Sequence, residues 1–186
     1  MRVNKLLTAA ALLCALAACD RQKQAGSQAA ENAPAEAPAV PKVGVDRSQA
    51  GKPAPQLAFK DPEGGETSLA EFAGKPLLVN LWATWCAPCV KELPTLAELA
   101  ESRKNLTVLA LSQDMQPQPT VAAFLDERKI GLEPFQDPEM AMSSELGANI
   151  LPTTLLYGSD GKEIWRYTGD LDWTGDKAAE LLKEAR

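Results

Sequence analysis

The stretch that decides the fold is residues 77–89, which read Leu-Leu-Val-Asn-Leu-Trp-Ala-Thr-Trp-Cys-Ala-Pro-Cys. Residues 77–83 are almost wholly apolar, which is typical of a short strand covered on both faces of a sheet. A helical pattern follows and is predicted to run to about residue 103. Cys86 and Cys89 therefore stand at the start of a helix that follows a buried strand, an arrangement suited to dithiol–disulfide exchange.

The position of each cysteine predicts its role. Cys86 lies at the helix N-terminus, where the partial positive charge and unpaired amide groups stabilise a thiolate, and it is expected to face outward. Cys89 lies one turn further in and lacks this stabilisation. Cys86 is therefore predicted to attack a substrate disulfide, and Cys89 to release the product by closing the Cys86–Cys89 bond. Trp85 is predicted to belong to an apolar rim on which a substrate peptide rests.

The N-terminus is predicted to be a targeting segment. Arg2 and Lys5 precede an uncharged run over residues 6–18, which is the form of a secretory signal. The run ends Leu-Ala-Ala-Cys, which resembles the lipobox of bacterial lipoproteins and implies a signal peptide of residues 1–18, cut before a lipidated Cys19. An ordinary signal peptide and an uncleaved anchor are the alternatives. Asp20 resembles an inner-membrane retention signal, which favours the periplasmic face of that membrane.

On this interpretation Cys14 is removed and Cys19 is acylated, so two thiols remain. A single pair two residues apart closes too small a loop to staple a fold, and it is predicted to react. Zinc needs about four ligands, and the chain has no histidine, so no metal site is predicted. Covalent haem would need a histidine after Cys89, where Val90 stands. A structural pair without activity stays open.

Charge and composition exclude some classes of binding partner and indicate where the folded domain begins. The formal net charge is −6 and no basic cluster occurs, which argues against nucleic acid and against polybasic membrane docking. Membrane attachment is therefore expected to come from the lipid. Residues 19–50 are rich in Ala, Pro, Gln and Glu and are predicted to be a disordered tether. Residues 51–186 have the size of one domain.

The pattern along residues 51–186 predicts an α/β domain with a mixed sheet, in the order β-α-β-α-β-β-α from the strand before the cysteines. The first strand, at 56–59, is expected at a sheet edge because prolines precede it. Ser-Asp-Gly at 159–161 predicts a hairpin turn. The other predicted strands are 66–68, 77–83, 106–111, 132–135, 153–157 and 163–168, and the other helices are 120–128, 140–146 and 176–184.

Residues 79–89, with Glu92 and Pro94 after them, resemble the active-site region of the thioredoxin superfamily, and more narrowly of the TlpA/ResA-type membrane-anchored oxidoreductases. Residues 151–157, followed by Gly161 and Gly169, are similar to that family's proline loop and final hairpin. The resemblance covers residues 51–186. It implies a thioredoxin-like fold, a mixed central sheet flanked by helices, with an N-terminal β extension and an insertion at 114–149 before the proline loop.

The same resemblance assigns supporting residues. Pro152 would be the cis-proline facing the dithiol, and Leu151 and Thr153 beside it would contact a bound substrate strand. Asn80 stands where thioredoxins carry a buried aspartate, and an amide cannot shuttle a proton. Glu92 matches a glutamate that influences thiol acidity in the ResA-like branch, by like-charge repulsion or as a proton acceptor. A solvated helix surface is the alternative for Glu92.

Taken together, the sequence predicts a periplasmic, lipid-anchored thiol–disulfide oxidoreductase that works as a reductant, with no cofactor beyond the Cys86–Cys89 disulfide. The resemblance implies oxidised exported proteins as substrates, in cytochrome c or copper-site maturation among others, and a membrane electron donor of the DsbD/CcdA kind. A disulfide oxidant or isomerase, a peroxiredoxin-like peroxidase and a non-catalytic binding or chaperone module are the alternatives. The peroxidase would need a Thr-x-x-Cys site, whereas Thr84 is only two residues before Cys86.

Overall fold

The structure is a computed structural model, and it describes residues 43–185. Within that range the chain forms eight strands and four α-helices, with 3₁₀ turns at Leu69–Phe72 and Leu182–Glu184. The strands are β1 Gly44–Asp46, β2 Ala58–Lys60, β3 Glu66–Ser68, β4 Leu77–Trp82, β5 Thr107–Ser112, β6 Phe135–Gln136, β7 Thr153–Tyr157 and β8 Glu163–Thr168. The helices are α1 Ala87–Ser102, α2 Gln118–Glu127, α3 Ala141–Leu146 and α4 Asp176–Leu181.

All eight strands belong to one sheet in the order β1-β8-β7-β4-β5-β6-β2-β3. The pairs β4–β5 and β5–β6 are parallel, and the other pairs are antiparallel. β4 lies near the centre, and its six residues are all buried, as its apolar run predicts. The predicted mixed α/β architecture is confirmed.

Alternation along β4 decides which side chains reach the dithiol helix. Leu78 and Trp82 pack in the core cluster that includes the buried face of α1, whereas Val79 and Leu81 pack in the cluster on the opposite face of the sheet. Asn80 has the same parity as Leu78 and Trp82, so its amide points toward α1. A polar side chain is thereby placed between the central strand and the helix that carries both cysteines.

The sheet begins earlier than predicted. The composition predicts a tether up to residue 50, but β1 pairs with the edge of β8, with Gly44 opposite Thr168. Just before it, Val43 packs against Gly169, where a Cβ would lie 2.9 Å from Val43 Cγ1. Gly169 also has φ +104, in the region that glycine tolerates best.

The predicted signal peptide and the lipidation of Cys19 lie outside the described residues and stay predictions. In residues 43–185 no helix is both long and apolar enough to cross a bilayer.

The first predicted strand is not at an edge. β2 pairs with β3 on one side and, through Lys60 and Gln136, with β6 on the other, so β3 forms the edge. The prolines do not block this pairing because Pro53 and Pro55 precede the strand and remove no donor from its ladder. The hairpin turn at 159–161 is confirmed: the Gly158 N–H donates to Lys162 O, and Gly161 has φ +73.

Candidate active site

The two cysteines stand at the beginning of α1, with Cys86 as the N-cap residue and Cys89 in the first turn. They are joined by a disulfide bond. The Cys89 N–H donates to Cys86 Sγ at 3.3 Å, so the first helical amides face this sulfur. Such donors stabilise negative charge on Cys86 once the disulfide opens.

The exposure of the two cysteines differs. Cys86 is 6% exposed and Cys89 is fully buried. Cys86 is therefore more covered than its predicted outward position implied, yet it is the one cysteine of the pair that solvent reaches. A partner sulfur approaching from outside meets Cys86 first.

Glu92, in α1, is buried between β4 and the loop before α4. Its Oε1 accepts a hydrogen bond from Asn80 Nδ2 at 2.7 Å, and its Oε2 accepts from the Leu171 N–H at 2.9 Å and from Trp173 Nε1 at 3.2 Å. The alternative of a solvated surface residue is therefore wrong. Burial raises the pKa of Glu92 to about 7, although the hydrogen bonds from Leu171, Asn80 and Trp173 act in the opposite direction.

Asn80 holds this carboxylate from the strand side. Its Nδ2 donates to Glu92 and also to Thr154 Oγ1 at 2.9 Å, and the residue is fully buried. Its Oδ1 receives no hydrogen bond from any residue in the described range. Asn80 therefore positions Glu92, and its unused oxygen could accept a hydrogen bond if the amide turned over or if a protonated Glu92 donated to it.

Glu92 is expected to make stability fall as pH rises. Its pKa of about 7 in the fold lies above the ordinary 4.5, so between these values the folded chain holds more protons than the unfolded chain. The free energy of unfolding should therefore be highest below about pH 4.5 and should decline as the pH rises through 7. The total decrease should be up to ~3 kcal/mol. Glu92→Gln should remove that decline because an amide does not titrate, and Asn80 Oδ1 can accept a hydrogen bond from the new amide. Urea unfolding of the oxidised protein at pH 5 and pH 8 measures it, and equal pH profiles for both proteins would contradict the assignment.

The proline loop lies at the same end of the sheet as the dithiol. The Leu151–Pro152 peptide bond is cis, as the resemblance implied. Thr153 pairs with Leu81 of β4, which places the loop beside the end of the strand that leads to Cys86. The Gly169 N–H donates to Pro152 O at 3.0 Å and fixes the loop from β8.

The two residues predicted to contact substrate beside Pro152 differ in access. Leu151 is half-buried and borders the same cavity as Cys86. Thr153 is 2% exposed, is paired in the sheet on both sides, and donates its hydroxyl to Ile150 O at 2.6 Å. Leu151 is thus the member of this pair that a substrate strand can reach.

A cavity of about 630 Å³, here called the dithiol groove, opens beside Cys86. Trp85 forms part of one wall and is 66% exposed, and its contact with a substrate peptide stays a prediction. The opposite wall consists of α3 and the segments that flank it. The groove is lined by Trp85, Cys86, Ala87, Pro88, Glu139, Met140, Ser143, Ser144, Ala148, Asn149 and Leu151.

Sequence reasoning missed Asp114, which fixes the loop before Cys86. Asp114 is 1% exposed, and its carboxylate accepts hydrogen bonds from the Thr84 N–H at 2.9 Å, Thr84 Oγ1 at 2.6 Å and Ser112 Oγ at 2.8 Å. The available signal was its place just after β5, because the carboxyl ends of the parallel strands β4 and β5 meet at one edge of the sheet.

The α3 wall of the groove was missed as well. The Ser143 hydroxyl donates to Gln113 Oε1, which joins α3 to the end of β5. The Asp137 carboxylate accepts from the Ala141 N–H at 3.2 Å and the Met142 N–H at 2.8 Å and so caps α3. Buried polar contacts therefore hold the groove wall in place.

Among residues 43–185, no three Cys, Asp or Glu side chains are grouped so as to hold a metal ion.

Comparison with known proteins agrees with this geometry. The profile of the Redoxin family matches residues 49–182. The thiol–disulfide oxidoreductase ResA of Bacillus thuringiensis subsp. konkukian (strain 97-27) is 31% identical over 141 residues, which are 75% of this chain and 80% of the relative.

Solved structures share the fold. A Chlorobium tepidum structure assigned as the thiol:disulfide interchange protein DsbE superposes with a TM-score of 0.64 at 22% identity, over 72% of this chain and 95% of that one. StoA from Bacillus subtilis superposes with a TM-score of 0.57 at 24% identity, over 71% and 98%. The fold is therefore thioredoxin-like, and the chain belongs to the Redoxin family and, within the thioredoxin superfamily, to its TlpA/ResA-like thiol–disulfide oxidoreductases.

Proposed function

We propose that this protein is a lipid-anchored, periplasmic reductase of disulfides in exported proteins. The observation that carries the direction of the reaction is the charge around the dithiol. No residue lining the dithiol groove is cationic, whereas two buried carboxylates lie near the cysteines: Glu92 is one turn after Cys89, and Asp114, just after β5, holds Thr84 of the loop before Cys86. Negative charge disfavours a thiolate, and strong oxidants depend on a stabilised reduced form. This environment favours a reducing potential.

The reaction starts from the reduced dithiol. The Cys86 thiolate attacks one sulfur of the substrate disulfide, which forms a mixed disulfide and releases one substrate thiolate that takes up a proton. Cys89 then loses its proton and attacks Cys86 Sγ, so the second substrate thiol leaves and the Cys86–Cys89 disulfide forms. Two electrons pass to the substrate. Glu92 lies three residues after Cys89 on α1, and with its pKa near 7 it is suited to accept the Cys89 proton, directly or through water.

Substrate binding is proposed to use both sides of Cys86. Leu151 would offer backbone groups to an extended substrate strand, and the exposed Trp85 would contact its side chains. In an oxidising compartment the disulfide must be reduced again, and a membrane electron donor of the DsbD/CcdA kind is the proposed source. Lipidated Cys19 and the tether after it would keep the domain beside that donor. Apocytochrome c and copper-site assembly proteins are the proposed substrates.

Equilibration with glutathione tests the direction of electron flow. We expect a midpoint potential close to or below that of thioredoxin, about −270 mV, read from the fraction of Cys86–Cys89 disulfide by mass spectrometry after alkylation. A value near that of the oxidant DsbA, about −120 mV, would contradict the reductase and support the oxidant. Glu92→Gln is the matched variant, and its potential should become less reducing if the carboxylate contributes.

A further inference from the structure

The dithiol groove contains a single charged side chain. Ten of its eleven lining residues are apolar or neutral, and Glu139 is the exception. Glu139 is exposed, and no described residue donates a hydrogen bond to its carboxylate or pairs with it. Its charge is therefore available to a molecule that enters the groove beside Cys86.

The backbone holds Glu139 in a defined place. It lies in the turn before α3, between Asp137, whose carboxylate caps the helix, and Met140, whose φ is +54. The Met140 N–H donates to Asp137 O at 3.1 Å and closes the turn. Because the turn already fixes the backbone, pairing of Glu139 with a partner orders only its side chain.

We propose that Glu139 is a specificity-determining residue, and that the groove prefers substrate segments that carry Lys or Arg close to the reacting cysteine. The inference rests on the proposed reduction of protein disulfides. Backbone pairing at Leu151 does not depend on the substrate side chains, so it cannot supply this preference. The net charge of −6 acts in the same direction, because it attracts basic segments from a distance.

The test measures rates with matched peptides. Disulfide-linked, fluorescence-quenched peptide dimers differ only in the residue two positions from cysteine, which is Lys, Gln or Glu. The reduced full-length protein is mixed with each, and the second-order rate constant of reduction is recorded at physiological salt. An exposed ion pair predicts that the Lys peptide reacts about two- to five-fold faster than the Gln peptide, and the Glu peptide slower by a similar factor. The difference should shrink at 1 M salt.

Variants of Glu139 and of Glu145 test which residue causes the preference for the Lys peptide. Glu139→Gln should make the three rates nearly equal, and Glu139→Lys should reverse their order. Glu145→Gln is the matched control, since Glu145 is an exposed residue of α3 that does not line the groove and its loss changes the net charge equally. This control should keep the preference for the Lys peptide.

Two results would overturn the inference: equal rates for the three peptides with the unaltered protein, or a preference lost as fully in Glu145→Gln as in Glu139→Gln. Either would leave the reductase intact. A failure of the proposed function would look different, because none of the three peptides would then be reduced.

Discussion

Cys89→Ser is expected to accumulate as a mixed disulfide between Cys86 and its substrate. The fully buried Cys89 has one task, the attack on Cys86 from within the molecule, while Cys86 retains the exposure that a substrate needs. Without Cys89 the second step stops after the first has occurred. Non-reducing mass spectrometry should show a one-to-one adduct that dithiothreitol removes, and turnover should fall about a thousandfold or more.

Cys86→Ser is the companion variant. It should form no adduct and should lose turnover to the same extent, because no partner reaches Cys89. Both variants are compared with the reduced protein, so that the contribution of the disulfide to stability cancels. An adduct at Cys89 in Cys86→Ser, as abundant as the one at Cys86, would contradict the assigned roles.

Arg166→Met is expected to cost about 3–5 kcal/mol of unfolding free energy. Glu163 is 4% exposed, and its carboxylate accepts from Arg166 Nε at 2.8 Å and Nη2 at 2.7 Å. Arg166 Nη1 also donates to Leu146 O, at the end of α3, at 2.6 Å. Methionine keeps the apolar stem but leaves a buried carboxylate and a helix-end carbonyl without their donor. The urea unfolding midpoint measures the loss.

Lys183→Met gives the comparison for Arg166→Met, because Lys183 pairs with Glu180 at the surface, where both side chains are at least 70% exposed. That change should cost less than about 1 kcal/mol. The double variant Glu163→Gln with Arg166→Met should recover part of the loss, since the buried charge is gone. A cost for Arg166→Met as small as that for Lys183→Met would show that the pair contributes little.

The local part of the site could be predicted from the sequence. A buried strand followed by Cys-x-x-Cys and a helical pattern defines where both sulfurs stand, because these residues are neighbours along the chain. Spacing also placed Glu92 on the same helical face as Cys89. Its partners could not be predicted in that way, because Leu171 and Trp173 come from a loop about eighty residues later.

The residues and the strand whose positions depend on contacts between distant parts of the chain were missed for the same reason. Asp114 reaches Thr84 only because β4 and β5 run parallel, and Glu139 reaches the groove only because α3 packs at the end of β5. β1 has three residues and no alternation, so nothing in its pattern separates it from the polar chain before it. Thr153 shows the opposite error: it follows Pro152 in sequence, but it is 2% exposed and its hydroxyl donates to Ile150 O.

The contact of Val43 with Gly169 fixes the end of the domain at which the described chain begins. Through it the chain enters at the end of the sheet where Pro152 and Cys86 lie. The last described turn, Leu182–Glu184, instead meets Arg103 at the far end of α1, where Arg103 Nη1 lies 3.4 Å from Leu182 O. A helix of 16 residues spans about 24 Å. Immobilising the protein through its C-terminus should thus leave the dithiol open to partners, while a bulky fusion just ahead of Val43 should obstruct it.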